Sequence, residues 1–254
     1  MAEKPREARY GLPLPDVCHF ELNDELIGNR SVFVVGDVHG CYDELMDLMA
    51  EAKKKEPNIL YIFAGDFVNK GPKVKEVVTR LQQDDCLAVL GNHEIKCMRE
   101  ARNMAENPNY KLSKRYQWVK GLSSEDLAFI RRLPYTIHIP SLKSIVVHAG
   151  LIPGTALEKH CLIAMTHMRN LYLEGEKLIP TGKHDKGKAW ATYWTGPEHV
   201  YFGHEVQRDK QELEYATGLD TGCCLGLRLT GVFLNGCRET LSVPAHRAYC
   251  VDDD

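Results

Sequence analysis

Short apolar runs recur along the chain, each stopped by glycine and a polar side chain. Ser31–Val35 (SVFVV) ends at Gly36-Asp37, Ile59–Ala64 (ILYIFA) at Gly65-Asp66, and Leu87–Leu90 (LAVL) at Gly91-Asn92. Ser144–Val147 (SIVV) runs into His148-Ala149-Gly150, and Val200–Phe202 into Gly203-His204. Runs this short, without polar alternation, predict strands buried on both faces of an α/β sheet. Between them the period changes. Leu45, Leu48, Met49 and Ala52 fall on one helical stripe, with Asp47, Glu51 and Lys54 elsewhere. Val74, Val77, Val78 and Leu81 repeat the pattern, and Ser123-Ser124-Glu125-Asp126 predicts a helix start before Leu127–Leu133. Three further strands are expected at Leu225–Leu229, Val232–Leu234 and Glu239–Val243. The sum is a mixed α/β chain, a βαβ half feeding a mixed or antiparallel second sheet.

At the N-terminus, Pro5, Pro13 and Pro15 discourage regular structure, so residues 1–30 are expected to form an arm. Residues 31–248 read as one domain and 249–254 as an acidic tail in which Asp252-Asp253-Asp254 is solvated. The 254 residues suffice for a sizeable core without disulfides or metals. Lys and Arg number 32 against 35 Asp and Glu, a net charge of −3 that argues against a duplex-DNA binder. The longest stretch without these charged residues, Ser144–Leu157, holds a His, a Pro and two Gly, so no bilayer span or membrane partner is expected. The charged, Pro-rich start shows no apolar signal core. Nine cysteines without a C-x-x-C pair suggest reduced thiols in a cytoplasmic setting. Thiolate zinc is not expected, and Cys223-Cys224 reads as buried filler.

The chemistry lies at the strand ends. Asp37 and His39 follow the first strand, Asp66 the second, Asn92 and His93 the third, His148 the fourth and His204 the fifth. In open α/β sheets sites form beyond the carboxyl ends of strands, and parallel neighbours would bring these groups to one edge. Asp37, His39, Asp66, Asn92, His148 and His204 make an oxygen and nitrogen donor set suited to Mn, Fe, Zn, Co or Mg. Six ligands suffice for two divalent cations if one carboxylate bridges them, and such a centre activates water and clamps a phosphoryl group. The helix start after Gly40 adds N–H groups for an anion.

D-x-H at 37–39, G-D-x-x-N-K-G at 65–71, G-N-H-E at 91–94, H-A-G at 148–150 and G-H at 203–204 resemble the signature of calcineurin-like metallophosphoesterases. Their order and spacing are similar to the phosphoprotein-phosphatase superfamily over Ser31–Pro244. Within it the chain most resembles the ApaH-like phosphatases, relatives of the bacterial symmetrical diadenosine tetraphosphatase. Asn69-Lys70 stands where protein phosphatases carry Asp-Arg, and Met168-Arg169-Asn170, Trp194–Pro197 and GLDTGC at 218–223 resemble that group too.

The resemblance implies a four-layer α/β/β/α fold with two stacked mixed sheets. It implies one metal at Asp37, His39 and Asp66, and another at Asp66, Asn92, His148 and His204, with Asp66 bridging. It makes His93 the general acid, aided by Asn69, and Lys70, Asn92 and Arg169 phosphate contacts. A metal-bridging hydroxide would be the nucleophile, without a covalent intermediate. Asn69 can orient His93 through its carbonyl but carries no charge, which disfavours poor leaving groups. The expected activity is phosphoanhydride hydrolysis, on diadenosine tetraphosphate and related dinucleoside polyphosphates, inorganic polyphosphate or capped RNA ends. A serine/threonine phosphoprotein phosphatase and an inactive nucleotide-binding relative are the alternatives.

The other histidines, His19, His138, His160, His167, His184, His199 and His246, read as surface or packing residues. Tyr110, Tyr116 and Trp118 stand among basic residues and could stack a base, although plain packing is the preferred reading. Lys183, Lys186 and Lys188 could funnel polyphosphate, but a solvated loop is preferred.

Overall fold

A computed structural model describes residues 8–251 of the chain. It begins with β1 (His19–Glu21) and a one-turn helix α1 (Asp24–Ile27). Strands and helices then alternate through β2 (Ser31–Val35), α2 (Tyr42–Lys55), β3 (Ile59–Phe63), α3 (Val74–Leu81), β4 (Cys86–Ala88) and α4 (Asn92–Glu106). Next come α5 (Ser124–Arg132), β5 (Thr136–Ile139), β6 (Ser144–Val147) and α6 (Leu162–His167). The rest is strands: β7 (Asn170–Glu174), β8 (Lys177–Thr181), β9 (Lys188–Ala189), β10 (His199–Phe202), β11 (Gln211–Leu213), β12 (Ala216–Gly218), β13 (Arg228–Phe233) and β14 (Thr240–Pro244).

Two mixed sheets carry the fold. One has the order β14-β13-β2-β3-β4, the other β1-β5-β6-β10-β12-β11. Strands β2, β3 and β4 are parallel, as are β6, β10 and β12. Every residue of β3 is buried, and four of the five in β2. Alternate side chains serve different cores. Val32, Val34, Leu60 and Ile62 meet Ile137, Ile139 and Val146 between the sheets. Phe33, Val35, Tyr61 and Phe63 share the outer core with Leu45, Leu48 and Met49 of α2 and Val77 and Val78 of α3. Fully burying each such side chain is worth about 1.5–3 kcal/mol, which explains why the interior of these runs is apolar. On the far side the helical layer is thin: Trp190 packs its ring 4.8 Å from that of Phe202.

Three features depart from the sequence pattern. The presumed arm supplies β1, which pairs in parallel with β5 and extends the second sheet. The strands expected at 225–229 and 232–234 are one strand, β13, with Leu225 only in an isolated bridge to Ala248. A third sheet, β8-β7-β9, stands apart from the stacked pair. Pro5 and Asp252–Asp254 lie outside the described residues. No helix among those described is long and apolar enough to cross a membrane. The nine cysteines are free thiols.

Candidate active site

The parallel register that aligns Val35 with Phe63 delivers Asp37, His39 and Asp66 to one edge. Asn92 and His93 open α4 at that edge, and His148 and His204 arrive from β6 and β10. All seven are buried. The backbone is bent to aim them: His39, Asp66, Asn69, Lys70 and His204 have φ between 46° and 71°. Such left-handed conformations cost of order 1–3 kcal/mol each in a non-glycine residue and persist only where surroundings enforce them. Neighbouring glycines make room. A Cβ on Gly203 would sit 1.9 Å from Asp37 Oδ1, and one on Gly91 2.4 Å from the Asp66 backbone nitrogen.

Asp66 is the hub. Its Oδ2 lies 3.3 Å from His148 Nε2, and 3.9 Å from both His39 Nε2 and His93 Nε2, while Oδ1 accepts from the His93 amide at 2.8 Å. Asp37 Oδ2 stands 4.0 Å from His39 Nε2, and both Asp37 oxygens accept from the His204 amide at 3.2 Å. His39 Nδ1 bonds the Val68 carbonyl at 3.0 Å and His148 Nδ1 that of Ala64 at 2.8 Å. Those bonds fix each ring with its Nε2 facing inward, as metal-ligating histidines are held. His204 instead accepts at Nε2 from Arg169 at 3.0 Å and turns Nδ1 toward Asn92.

Asn92 tests whether this centre suits cations. With its oxygen inward, Oδ1 lies 3.1 Å from His148 Nε2, and the same position is 2.9 Å from Asp66 Oδ2 and 3.2 Å from His204 Nδ1. Asn92 Oδ1, Asp66 Oδ2 and His148 Nε2 then meet as three acceptors, an arrangement a cation satisfies, while the neutral His204 has its proton on Nδ1 because Arg169 donates to its Nε2. The Asn92 nitrogen then stands 3.2 Å from Lys96 Nζ, two donors side by side where an anion would fit. Turning the amide over pairs these atoms with one another instead. The oxygen and nitrogen donors thus fit hard or borderline divalent cations.

Burial, with the Asp220 and Asp66 carboxylates beside it, pushes Asp37 well above the usual carboxylate range. Burial opposes ionisation of Asp66 too, but His148 and His93 outweigh it and hold that carboxyl well below its usual value. Burial and Lys70 lower His39 to about 3, and burial, with His148 and Arg169 nearby, takes His204 well down. Burial opposes charge on His148, but Asp66 and Glu94 outweigh it and raise that imidazole. Without a cation the centre thus holds extra protons on Asp37 and His148, which metal binding would release.

Asn69 corrects a sequence expectation. Its carbonyl does not orient His93. Trp118 Nε1 donates to Asn69 Oδ1 at 3.0 Å, so the amide nitrogen faces His93 Nδ1 at 2.8 Å. Because an indole N–H can only donate, Asn69 is fixed as a donor toward the histidine. His93 Nδ1 is therefore the acceptor, and its proton sits on Nε2, facing the centre.

Glu94 escaped the sequence reading. Its Oε2 accepts from the amides of Asp66 and Gly91, both at 2.8 Å, and Oε1 from those of Phe67 and Val68 at 3.0 and 3.1 Å. Burial pushes its carboxyl up to about 7 while these amides oppose the shift. Its position three residues into α4 after Gly91 is the capping-box signal that would have found it.

Beyond the centre opens a cavity of about 530 Å³, lined by the predicted Lys70 and Arg169 and also by Arg9, Lys96, His167 and His184. His184 is exposed and His167 half-buried, in keeping with surface and packing positions that also border the cavity. Arg169 also steadies His204, donating to its carbonyl at 3.3 Å. Behind the site Cys41, Glu44 and Cys223 cluster within 4.8 Å, and a thiol hydrogen bond with Cys223, with burial, pushes the Cys41 thiol far up. Lys183, Lys186 and Lys188 are exposed, with Lys186 Nζ 3.5 Å from the centroid of the Tyr172 ring.

Known proteins are similar to this chain. A symmetrical bis(5'-nucleosyl)-tetraphosphatase of Coxiella burnetii is 26% identical over 86% of this chain and 93% of its own length. Serine/threonine-protein phosphatase 1 of Salmonella typhimurium is 27% identical over 79% of this chain and 90% of its own. A solved structure described as "a putative diadenosine tetraphosphatase" is 33% identical with a TM-score of 0.78, covering 90% of this chain and 98% of that one. The model of the calcineurin-like phosphoesterase family matches residues 30–208, from β2 to the turn after His204, and the chain belongs to that family.

Proposed function

We propose that this phosphoesterase is a two-cation phosphoanhydride hydrolase. Asp37, His39 and Asp66 would hold one divalent cation, and Asp66, Asn92, His148 and His204 the other. When bound, the cations supply Lewis acidity toward the phosphoryl oxygens and let water attack near neutral pH. The chain's own residues do the rest. Lys70, Lys96 and Arg169 bind the negative charge of the phosphate groups, which in phosphoryl transfer is spread over the equatorial oxygens. His93 presents its Nε2 proton to the leaving oxygen.

The observation that carries the choice of substrate is the Trp118–Asn69–His93 chain. An Asp at this place would accept from the histidine and favour its charged, more acidic form. Asn69 donates instead, and so leaves His93 a neutral, weaker acid. Phosphoanhydrides have good leaving groups and need little protonation, whereas serine alkoxides need much. Dinucleoside polyphosphates, polyphosphate and capped RNA ends all suit that limit, and the relative named a tetraphosphatase supports the first. The Salmonella relative named a protein phosphatase keeps phosphoserine substrates as the second reading.

The test is kcat/KM of metal-replete protein for diadenosine tetraphosphate against a phosphoserine peptide, with nucleotide products separated by anion exchange. Preference for the anhydride is expected, and ADP as sole product marks symmetric cleavage. Preference for the peptide would overturn the reading.

A further inference from the structure

Among the described residues, no Trp, Tyr or Phe lines the cavity above the metal centre. It can grip phosphates, and its only aromatic rings are imidazoles, smaller stacking surfaces than an indole. A second cavity of about 580 Å³ adjoins it, and Lys70 lines both. Its wall includes Trp118, Lys114, Arg115 and Pro72. We infer that this second cavity is a nucleoside subsite, in which a nucleobase stacks on Trp118 while the attached phosphates run past Lys114, Arg115 and Lys70 toward the cations. The inference rests on the anhydride reading above and narrows it to substrates with a nucleoside end.

Three observations support the assignment. The volume falls in the range of small-molecule pockets, roughly 300–1,000 Å³. Trp118 is half-buried and its indole N–H is anchored on Asn69 at 3.0 Å, so its ring is held in place before any ligand arrives. A preorganised aromatic loses little freedom on binding. Lys114 and Arg115 are exposed, and they precede Trp118 in the same short 3-10 helix, Lys114–Gly121. The neighbouring aromatics are occupied otherwise: Tyr116 is buried, and Tyr110 donates to Glu100 at 2.6 Å. Trp118 packs one side against the core as Tyr110 does, but of the three only Trp118 also lines this cavity.

Trp118 thus has two roles that substitution separates. Trp118→Phe keeps an aromatic surface and removes the N–H to Asn69; Trp118→Ala removes both. Kinetics are compared on diadenosine tetraphosphate and on linear polyphosphate. Loss of the N–H should change kcat little, and alike for both variants and both substrates, since anhydrides need little protonation. Loss of the ring should raise KM for the dinucleotide about tenfold in the Ala variant, the scale of one stacked base. KM for polyphosphate should not move, and the Phe variant should keep the dinucleotide KM near wild type. Calorimetric binding of ADP to metal-free protein gives the same comparison without turnover: about tenfold weaker in Trp118→Ala, retained in Trp118→Phe. Equal KM changes on both substrates, or ADP binding indifferent to the ring, would overturn the subsite. Failure of the wild-type protein to cleave any anhydride would instead strike at the function proposed above, and ADP binding would still decide the subsite.

Discussion

With Trp118 holding its carbonyl, Asn69 can offer His93 only an amide N–H. Replacing that one nitrogen by oxygen reverses the direction of the hydrogen bond. In Asn69→Asp the carboxylate would accept from His93 Nδ1–H and still receive the Trp118 N–H, so charged imidazolium becomes the favoured form. General acid catalysis typically contributes 10²–10⁴-fold. Part of that range should become available to poor leaving groups, and kcat on a phosphoserine peptide is expected to rise about tenfold. Turnover of diadenosine tetraphosphate should change little. A variant with unchanged peptide activity and intact anhydride activity would show that the residue at position 69 does not set the acid. Neighbouring side chains act by position rather than by chemistry. Glu94 touches no lone pair of the centre, yet four backbone amides around Asp66 close on it.

Among the elements, α5 shows how one side chain can secure a junction. Ser123 caps the helix by accepting from the Asp126 amide at 3.2 Å, and Asp126 answers by accepting from the Ser123 amide at 2.7 Å. Asp126 also pairs with Lys75 of α3 and accepts from Gln82 at 2.8 Å. Burial raises the Asp126 carboxyl, but these donors outweigh it and bring it from 3.8 down to about 2. A carboxyl lowered on folding stabilises above its unfolded value and loses that contribution as pH falls through its folded one. The wild type should therefore lose about 1–2 kcal/mol between pH 4 and pH 2 that Asp126→Asn does not. Urea denaturation of both proteins across that range checks it, and parallel curves would refute it. This helix start was legible because Ser and Asp three apart are a local signal. So were the strands β2, β3, β6 and β10, where apolar runs end at glycine. The third sheet was not: β8 is exposed or half-buried throughout and carries a proline, so no buried face marks it. Strand β1 has three residues, none fully buried, behind a proline-rich segment that argued against structure.

In the molecule as a whole, the two stacked sheets bring into one centre side chains that span positions 37 to 204 of the chain. Their gathering could be read from the motifs because each ligand follows a strand whose pattern is local. The cavity around them could not, since Arg9, Lys96, His167 and His184 come from segments without a shared pattern and meet only through tertiary packing. Nor could the hydrogen-bond direction at Asn69, which depends on Trp118 forty-nine residues away in sequence. The most direct test of the central claim is reconstitution. Protein stripped of metal is titrated with Mn²⁺, Co²⁺, Zn²⁺ or Mg²⁺ while diadenosine tetraphosphate turnover and bound metal per chain are followed together. The account predicts no turnover without metal, and activity that reaches its plateau as occupancy approaches two ions per chain. Turnover by the stripped protein, or full activity at one ion per chain with no second site filling, would contradict it.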